Sequence, residues 1–419
     1  MPHKTEIDAL VVGAGPVGMF TALALAHHGI RTRIIDKESR TAGHSYACAL
    51  HPSSLKLLSD FGVGKDLAER GRHITSVAFF DGTSKRADLA LSKIPGDYPF
   101  VLVLEQSGLE DLLEETLQGK GVKVEWNHRL QDLQPEDDAV TATVEKFASS
   151  GHGFIVPEFE PSVQSVETIR AAIVIGADGQ NSMVRRRLNI DSYHFREPQE
   201  FAVYETELAD DPGDEMRVVL AAATANVMWP LTGNRCRWSF QMVAADPPEE
   251  FPTKDRERLI MVEPAWDQSK RDTLDWLLRQ RAPWFNSTIK KITWGTRVNF
   301  DWRLAHSFGK NRCWLAGDSA HQTSPVGMHS MNVGLREAAD LAAALKEILR
   351  HHAALSLLQA YDTQQLAEWR RLLGLAGGPQ VSEKTNEWVQ QHRGRIVSSI
   401  PASGNDLVLL LKSLGLIFK

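Results

Sequence analysis

Asp318 is the residue whose surroundings say most about the chemistry open to this chain. It follows an apolar run, residues 313–316, that reads as a buried strand, and it stands in Gly317-Asp318-Ser319-Ala320-His321. A loop with Pro325 and Gly327 comes next. A long amphipathic helix is then expected to begin near Ser330, Met331 and Asn332. A carboxylate at a strand end can accept hydrogen bonds from sugar-chain hydroxyls. The free N–H groups of a helix start can face a group that becomes negative. Together they suit a polar, electron-accepting cofactor.

Such a cofactor needs a second place, for adenosine and pyrophosphate, and the N-terminus supplies one. Residues 7–12 form an apolar run of strand type. Gly13-Ala14-Gly15-Pro16-Val17-Gly18 follows, then a helix-forming stretch, residues 19–28, ended by Gly29. Residues 31–35 read as the next strand, with Asp36 at its end. This is a βαβ unit carrying a dinucleotide fingerprint in the context the fingerprint requires. Gly13 allows the tight turn, Gly15 lets backbone approach the pyrophosphate, and Gly18 lets helix and strand pack closely. Pro16 and Val17 lie in the turn before the helix, whose N-terminal N–H groups meet the phosphates. Asp36 can accept from both ribose hydroxyls and argues against a 2′-phosphate on this nucleotide. Lys37 is placed to cover the adenine. This site suits FAD or NAD, and the Asp318 segment suggests a flavin.

Composition narrows the class. The chain has 419 residues, 42% apolar and 24% charged, with a net charge of −6. It has no long basic run, so nucleic acid is not the expected partner. Cys48, Cys236 and Cys313 are far apart and form neither a metal spacing nor a disulfide framework, and no metal is expected. That fits a reducing, cytoplasmic setting. The N-terminus is charged and enters a strand at once, without a signal-peptide pattern. No apolar run reaches the length of a membrane span. The apolar stretch 407–418 is the one place where membrane contact is conceivable, and packing against the body or a partner subunit is the simpler reading. A monomer or a homodimer is expected.

A third motif completes a set. Residues 171–175 form another buried-strand run, followed by Gly176-Ala177-Asp178-Gly179 and then Ser182 and Arg185. In this order the three motifs resemble the single-component flavoprotein monooxygenases of the aromatic-hydroxylase type, which share the para-hydroxybenzoate hydroxylase fold. Gly13 to Gly18 is similar to that family's dinucleotide motif. Gly176 to Gly179, with Ser182 and Arg185, is similar to its second motif, associated with FAD and the nicotinamide donor. Gly317, Asp318, His321, Pro325, Gly327, Met331 and Asn332 are similar to its third, which lies along the flavin. Gln106 matches the glutamine that reaches the flavin side chain. The resemblance covers about residues 8–373. It implies an α/β fold: a Rossmann-like FAD-binding domain interleaved with a mixed or antiparallel β-sheet substrate domain, plus C-terminal helices. The expected boundaries are 1–75, 101–190 and 295–350 for the FAD domain, 76–100 and 191–294 for the substrate domain, and 351–419 for the helical region.

Departures from the family pattern are as informative. Tyr46 stands where relatives usually carry an arginine, and Tyr361-Asp362-Thr363-Gln364-Gln365 lacks their usual Glu-Arg pair. The flavin loop, usually Gly-Gly-Gln-Gly-Met-Asn, here reads Gly327-Met328-His329-Ser330-Met331-Asn332. Two glycines have become Met and Ser, which removes permitted backbone conformations and adds bulk. His329 is the candidate acid or base, since a histidine titrates near neutral pH; a hydrogen bond that fixes the loop is the competing role. His321 reads as structural.

The region between the second and third motifs, about residues 195–300, alternates polar and apolar residues around Thr232-Gly233-Asn234-Arg235. It reads as an antiparallel sheet with hairpins. Residues 73–80 and 88–104 are expected to add strands to it. In the resembled family such a sheet roofs the flavin over the substrate. Tyr204, Met228, Trp229 and Trp238 are the candidate pocket residues.

The resemblance implies a cycle in which NADPH or NADH reduces FAD and dioxygen gives a flavin C4a-hydroperoxide. One oxygen atom then passes to an aromatic or other electron-rich small molecule. The altered loop keeps two other readings open: a flavoprotein reductase or dehydrogenase, and a non-catalytic flavin-binding protein that sequesters an intermediate. A halogenase is disfavoured because its Gly-Trp-x-Trp-x-Ile-Pro stretch is absent. A serine hydrolase is disfavoured because there is no Gly-x-Ser-x-Gly elbow.

Overall fold

The computed structural model describes residues 7–40, 49–148, 162–246 and 264–418. Tyr46, Cys48 and residues 149–161 lie outside them. Two large sheets and a shell of helices account for most of what is described.

The first sheet is built on the fingerprint strand, Ile7–Val12. It pairs in parallel with Thr32–Ile35 on one side and with the C-terminal half of Val163–Gly176 on the other. That long strand in turn pairs in parallel with Cys313–Leu315. Ala9 to Val11 and Ile173 to Ile175 are continuous apolar runs because both faces of these strands are covered. Helix Pro16–His27 covers one face. Pro16 sits at its first turn, where a missing N–H costs nothing, and the helix is buried from Pro16 to Leu25. It reads apolar all round because it lies between the sheet and other helices.

The second sheet has eight strands and is mostly antiparallel. Its order runs from His321–Gln322 through Ile289–Ala305, Ser192–Leu208, Arg235–Gln241, Thr224–Leu231 and Glu215–Ala221 to Ser76–Phe80 and Lys85–Ala90. Ile289–Ala305 belongs to it along its whole length, so the sheet runs past the boundary expected at residue 294. Of the strands expected from residues 73–104, only Ser76–Phe80 and Lys85–Ala90 join it. Arg72–Ile74 and Val101–Val103 pair with each other, and Val103 and Leu102 with Ala49–Leu50, in a separate three-stranded sheet. Alternation alone cannot say which sheet a short strand joins.

Helix His329–His351 runs against helix Pro16–His27 and presents Val333, Leu335, Ala338, Leu341, Ala342 and Leu345 to the core. Burying each of its leucines is worth roughly 1.5–3 kcal/mol. The helices Leu357–Leu372, Glu387–Val397 and Gly404–Ser413 complete the C-terminal part. In the last, Leu407, Leu410 and Leu411 are buried, as is Leu416 beyond it. The apolar stretch therefore turns its leucines into the body, leaving Val408 and Ile417 exposed. Among the described residues no helix is long and apolar enough to cross a membrane.

Candidate functional site

The fingerprint turn is sterically specified. Gly13 has φ +103°, a conformation L side chains avoid, and a Cβ there would collide with the backbone of Ala177. A Cβ on Gly18 would collide with the carbonyl of Gly13. A Cβ on Gly15, by contrast, would meet nothing within 4 Å. Gly15 faces open space at the start of a helix, as a pyrophosphate site requires. Asp36 closes the turn: its carboxylate accepts from Ala14 N–H at 2.6 Å and from Glu38 N–H at 2.8 Å. Lys37 is exposed beside it.

Asp318 sits directly across from this turn. Gly317 takes φ +65°, and a Cβ on it would stand 3.1 Å from the side chain of Val17. A Cβ on Gly334 would stand 2.8 Å from the same valine and 3.0 Å from Gly317 Cα. The fingerprint helix, the Gly317 turn and helix His329–His351 thus meet at Val17 with no room for another side chain. Glu337 locks the arrangement. It is fully buried and accepts from Gly317 N–H at 2.9 Å and from Trp369 Nε1–H at 2.5 Å. Its Oε2 also lies 2.9 Å from Nε2 of His321, which stacks on Trp369. His321 is structural, as its place in the motif suggested. Among the described residues the Asp318 side chain has no hydrogen-bond or ionic partner, and burial raises its pKa above the usual carboxylate range.

One cleft brings these parts together. It is lined by Gly15, Pro16 and Val17, by Gln106 at the start of helix Gln106–Gly119, by Ala177 and Gly179, by Asp318 and Pro325, and by Met328, Ser330 and Met331. Phe300, from the second sheet, roofs it. The helix start is therefore open to the cleft. The hydroxyl of Ser330 is buried there without a partner among the described residues, as is Oε1 of Gln322. An unpaired carboxylate, an open glycine at a helix start and a second open helix start fit FAD along its length. Met328 is the N-cap and holds φ +52°, ψ 36°. The methionine takes up the left-handed conformation that a glycine would take without cost.

Asn332 and Gly327 brace the loop rather than face the cleft. Asn332 is fully buried; its amide donates to the carbonyls of Ala49 and Met328, and its oxygen accepts from His51 N–H. Gly327 is pressed by the C-terminal segment: a Cβ there would stand 2.5 Å from His329 and 2.6 Å from the Ser398 carbonyl. His329 points the same way. Its Nε2 lies 3.1 Å from the carbonyl of Ala402, its ring meets His51 edge to face, and burial pushes its pKa down to about 4. It does not line the cleft. The geometry matches the loop-fixing role and not an acid or base at the flavin.

Asp178 also differs from its expected role as a direct cofactor contact. Its carboxylate accepts from Ser182 Oγ–H at 2.6 Å, from Met183 N–H at 2.6 Å and from Val184 N–H at 3.2 Å. It organises the start of helix Met183–Arg187, while its neighbours Ala177 and Gly179 touch the cleft. Arg185 is buried and donates to the carbonyls of Ser319 and Gln180, tying this turn to the Asp318 turn.

The pocket residues expected on the second sheet separate by face. Tyr204, Trp238 and Met228 form one cross-strand row, and they belong to a core with Leu274 and Leu277 of helix Pro264–Arg281. They point away from the FAD-binding side. Trp229, one residue on from Met228, joins the core shared with the first sheet. A one-residue step reverses the face, so the register decides which aromatic can meet a substrate. The grouping with metal-ligating atoms among the described residues, Glu125, His128 and Glu167, already holds Arg33 in ion pairs with both glutamates.

A Rossmann-type sheet with its fingerprint open to a cleft, roofed by a mostly antiparallel sheet, defines an FAD-dependent flavoprotein. The chain belongs to the FAD binding domain family, which it matches over residues 6–374. It is 27% identical over 377 residues to 6-methylpretetramide 4-monooxygenase of Streptomyces rimosus, covering 89% of this chain and 61% of the relative. It is 25% identical to pentachlorophenol 4-monooxygenase of Sphingobium chlorophenolicum, covering 88% and 64%. The chain thus spans less than two thirds of the length of these relatives. It is also 26% identical to para-nitrophenol 4-monooxygenase of Pseudomonas sp. (strain WBC-3), covering 86% and 82%. In fold it is similar to the crystal structure of p-nitrophenol 4-monooxygenase from Pseudomonas putida DLL-E4. The TM-score is 0.71 at 20% identity, over 98% of this chain and 97% of that one.

Sequence reasoning did not single out Glu337. Its signal was present: an acidic residue in register with Gly334 and Leu341 on the apolar face of a helix.

Proposed function

We propose that this chain is an FAD-dependent monooxygenase that uses NAD(P)H and dioxygen to place one oxygen atom on an aromatic or other electron-rich small molecule. The observation that carries this reading is the cleft itself, with Asp318 and the Ser330 helix start on one side and Phe300 of the roof sheet on the other. Bound FAD supplies the electron transfer and dioxygen activation. The residues supply the rest. Asp318 accepts from hydroxyls of the flavin side chain, and Gly15 with the Pro16 helix start receives the pyrophosphate. The N–H groups around Ser330 favour an anionic ring by about 0.3–1 kcal/mol, rising to ~2 when partly buried. Phe300 and the roof sheet keep water from the reacting centre, without which activated oxygen is lost unproductively. His329, neutral and turned toward Ala402, holds the loop. Relatives named for nitrophenol and pentachlorophenol support a phenolic substrate class.

The test is to mix the FAD-loaded protein anaerobically with NADPH and a panel of phenols, then admit isotopically labelled dioxygen. A product carrying one labelled oxygen atom is expected. Flavin reduction that yields only hydrogen peroxide with every phenol would favour a reductase. Failure to reduce the flavin under any condition would overturn the proposal.

A further inference from the structure

A second concavity lies beside the flavin cleft. It is lined by Arg196 and Trp302 of the roof sheet, Arg371 at the end of helix Leu357–Leu372, and Arg393 and Ser398 of the C-terminal part. Ser398 links it to the flavin loop, since its carbonyl presses on Gly327 behind the cleft. Trp302 follows Phe300 by two residues on one strand, so both side chains project from the same face of the sheet.

Among the described residues no carboxylate lines this concavity. Among the described residues Arg196 and Arg371 make no hydrogen bond or ion pair. Each lies over a ring, Arg196 over Trp302 at 4.2 Å and Arg371 over Phe418 at 6.0 Å. Among the described residues Arg393 bonds only to the Gln390 carbonyl of its own helix, at 3.1 Å. Arg371 and Arg393 lie toward the C-terminal ends of their helices, where cations offset the dipole. That does not explain Arg196, which sits on a strand. The pairing of that strand with Ile289–Ala305 shifts register on both sides of Arg196. Such irregularities re-aim side chains and concentrate beside functional sites. In a chain of net charge −6, three guanidiniums converge on one concavity with no acid among its described lining residues.

Guanidinium groups match phosphate oxygens in charge and in forked geometry. The phosphates of FAD have their place at the Gly13 to Gly18 turn, so this site is left for another phosphorylated reactant. Resting on the monooxygenase reading above, we propose that Arg196, Arg371 and Arg393 receive the phosphates of the nicotinamide dinucleotide donor, its 2′-phosphate included. The donor then lies across Ser398 with its nicotinamide directed into the flavin cleft, and NADPH is preferred to NADH.

Calorimetric titration of the FAD-loaded protein with 2′,5′-ADP tests the site without turnover. The wild type is expected to bind it, and to bind 5′-AMP at least about tenfold more weakly, as loss of a charge-assisted bond implies. Arg371→Gln/Arg393→Gln and Arg196→Gln should each weaken 2′,5′-ADP by about tenfold or more, with FAD content unchanged. They should also raise KM for NADPH more than KM for NADH. Equal 2′,5′-ADP affinity in wild type and folded variants would show that the arginines only cap helix ends, and would overturn the proposal. So would equal wild-type affinity for 2′,5′-ADP and 5′-AMP, or for inorganic phosphate. The AMP comparison needs no variant and stands even if the substitutions prevent folding. Intact 2′,5′-ADP discrimination without oxygen insertion would instead count against the monooxygenase reading alone.

Discussion

Two Gly-Asp turns end neighbouring parallel strands, and the same local pattern is put to opposite uses. Gly176 and Leu315 are register partners, and each strand leads within three residues to an aspartate. Asp178 is saturated: three donors from its own turn converge on it. Asp318 has its backbone carbonyl engaged by Arg303, at 3.3 Å, while its carboxylate faces the cleft without a partner among the described residues. Burial raises the pKa of both. The bonds from Ser182, Val184 and Met183 oppose that rise at Asp178, whereas Asp318 relies on the more distant charges of His321 and Arg303. The difference teaches that a motif gives an acid its position, and the next few residues decide whether it serves the fold or a ligand. After Asp178 the chain turns at once into a helix whose N–H groups it caps. After Asp318 it runs on to a helix eleven residues later, which leaves the carboxylate free.

The largest expected effect comes from removing what holds the Asp318 turn in place. Glu337→Ala leaves Gly317 N–H, Trp369 Nε1 and His321 unpaired in the core. It should cost about 3–5 kcal/mol of unfolding free energy, read by denaturant titration. A cost within experimental error would show that the Gly317 turn does not depend on Glu337.

Acidification should disturb the same side next. The pKa of His329 is lowered in the folded protein to about 4 from 6.5, because burial disfavours its charged form. The unfolded chain therefore binds this proton first. Stability is fully present above about 6.5 and falls as pH drops toward about 4, by up to about 3 kcal/mol from this residue. Thermal midpoints of wild type and His329→Gln across that window should converge as pH falls. Parallel curves would remove His329 from the account.

The two aspartates then separate by readout. Asp318→Ala should weaken FAD by about 1.5–3 kcal/mol, with the apoprotein as stable as wild type or more so. Asp178→Ala should behave the other way, costing about 1–2 kcal/mol of stability through its lost cap, with a smaller effect on FAD affinity. Flavin fluorescence titration and thermal denaturation of both apoproteins decide it. If the two variants lost equal amounts on both measures, the division of labour drawn between the turns would fail.

The strand-turn-helix frame was legible in the chain because glycine placement and apolar runs are local signals. Gly13, Gly15, Gly18, Asp36 and Asp318 stand where their spacing puts them, and Gln106 reaches the cleft. The roof sheet was legible as a sheet but not in its facing. Tyr204, Met228 and Trp238 follow the same alternation as Trp229, and only the register with Pro264–Arg281 behind the sheet separates them. The role of His329 depends on Ala402, 73 residues away in sequence, and no pattern near the histidine encodes that contact. The left-handed turn at Met328 is the converse case. The missing glycine drew notice in the sequence, and the backbone keeps the glycine conformation nonetheless.

The family match ends at residue 374, yet Ser398 and Ala402 press directly on Gly327 and His329. The loop beside the flavin is thus shaped partly from outside the shared domain. In the language of linkage, docking of the C-terminal segment and cofactor binding become reciprocal: whatever strengthens one by a given factor strengthens the other equally. The tail is then a handle on the flavin, through which changes far from the ring in sequence could tune the affinity of this chain for its cofactor while the fingerprint residues stay as they are.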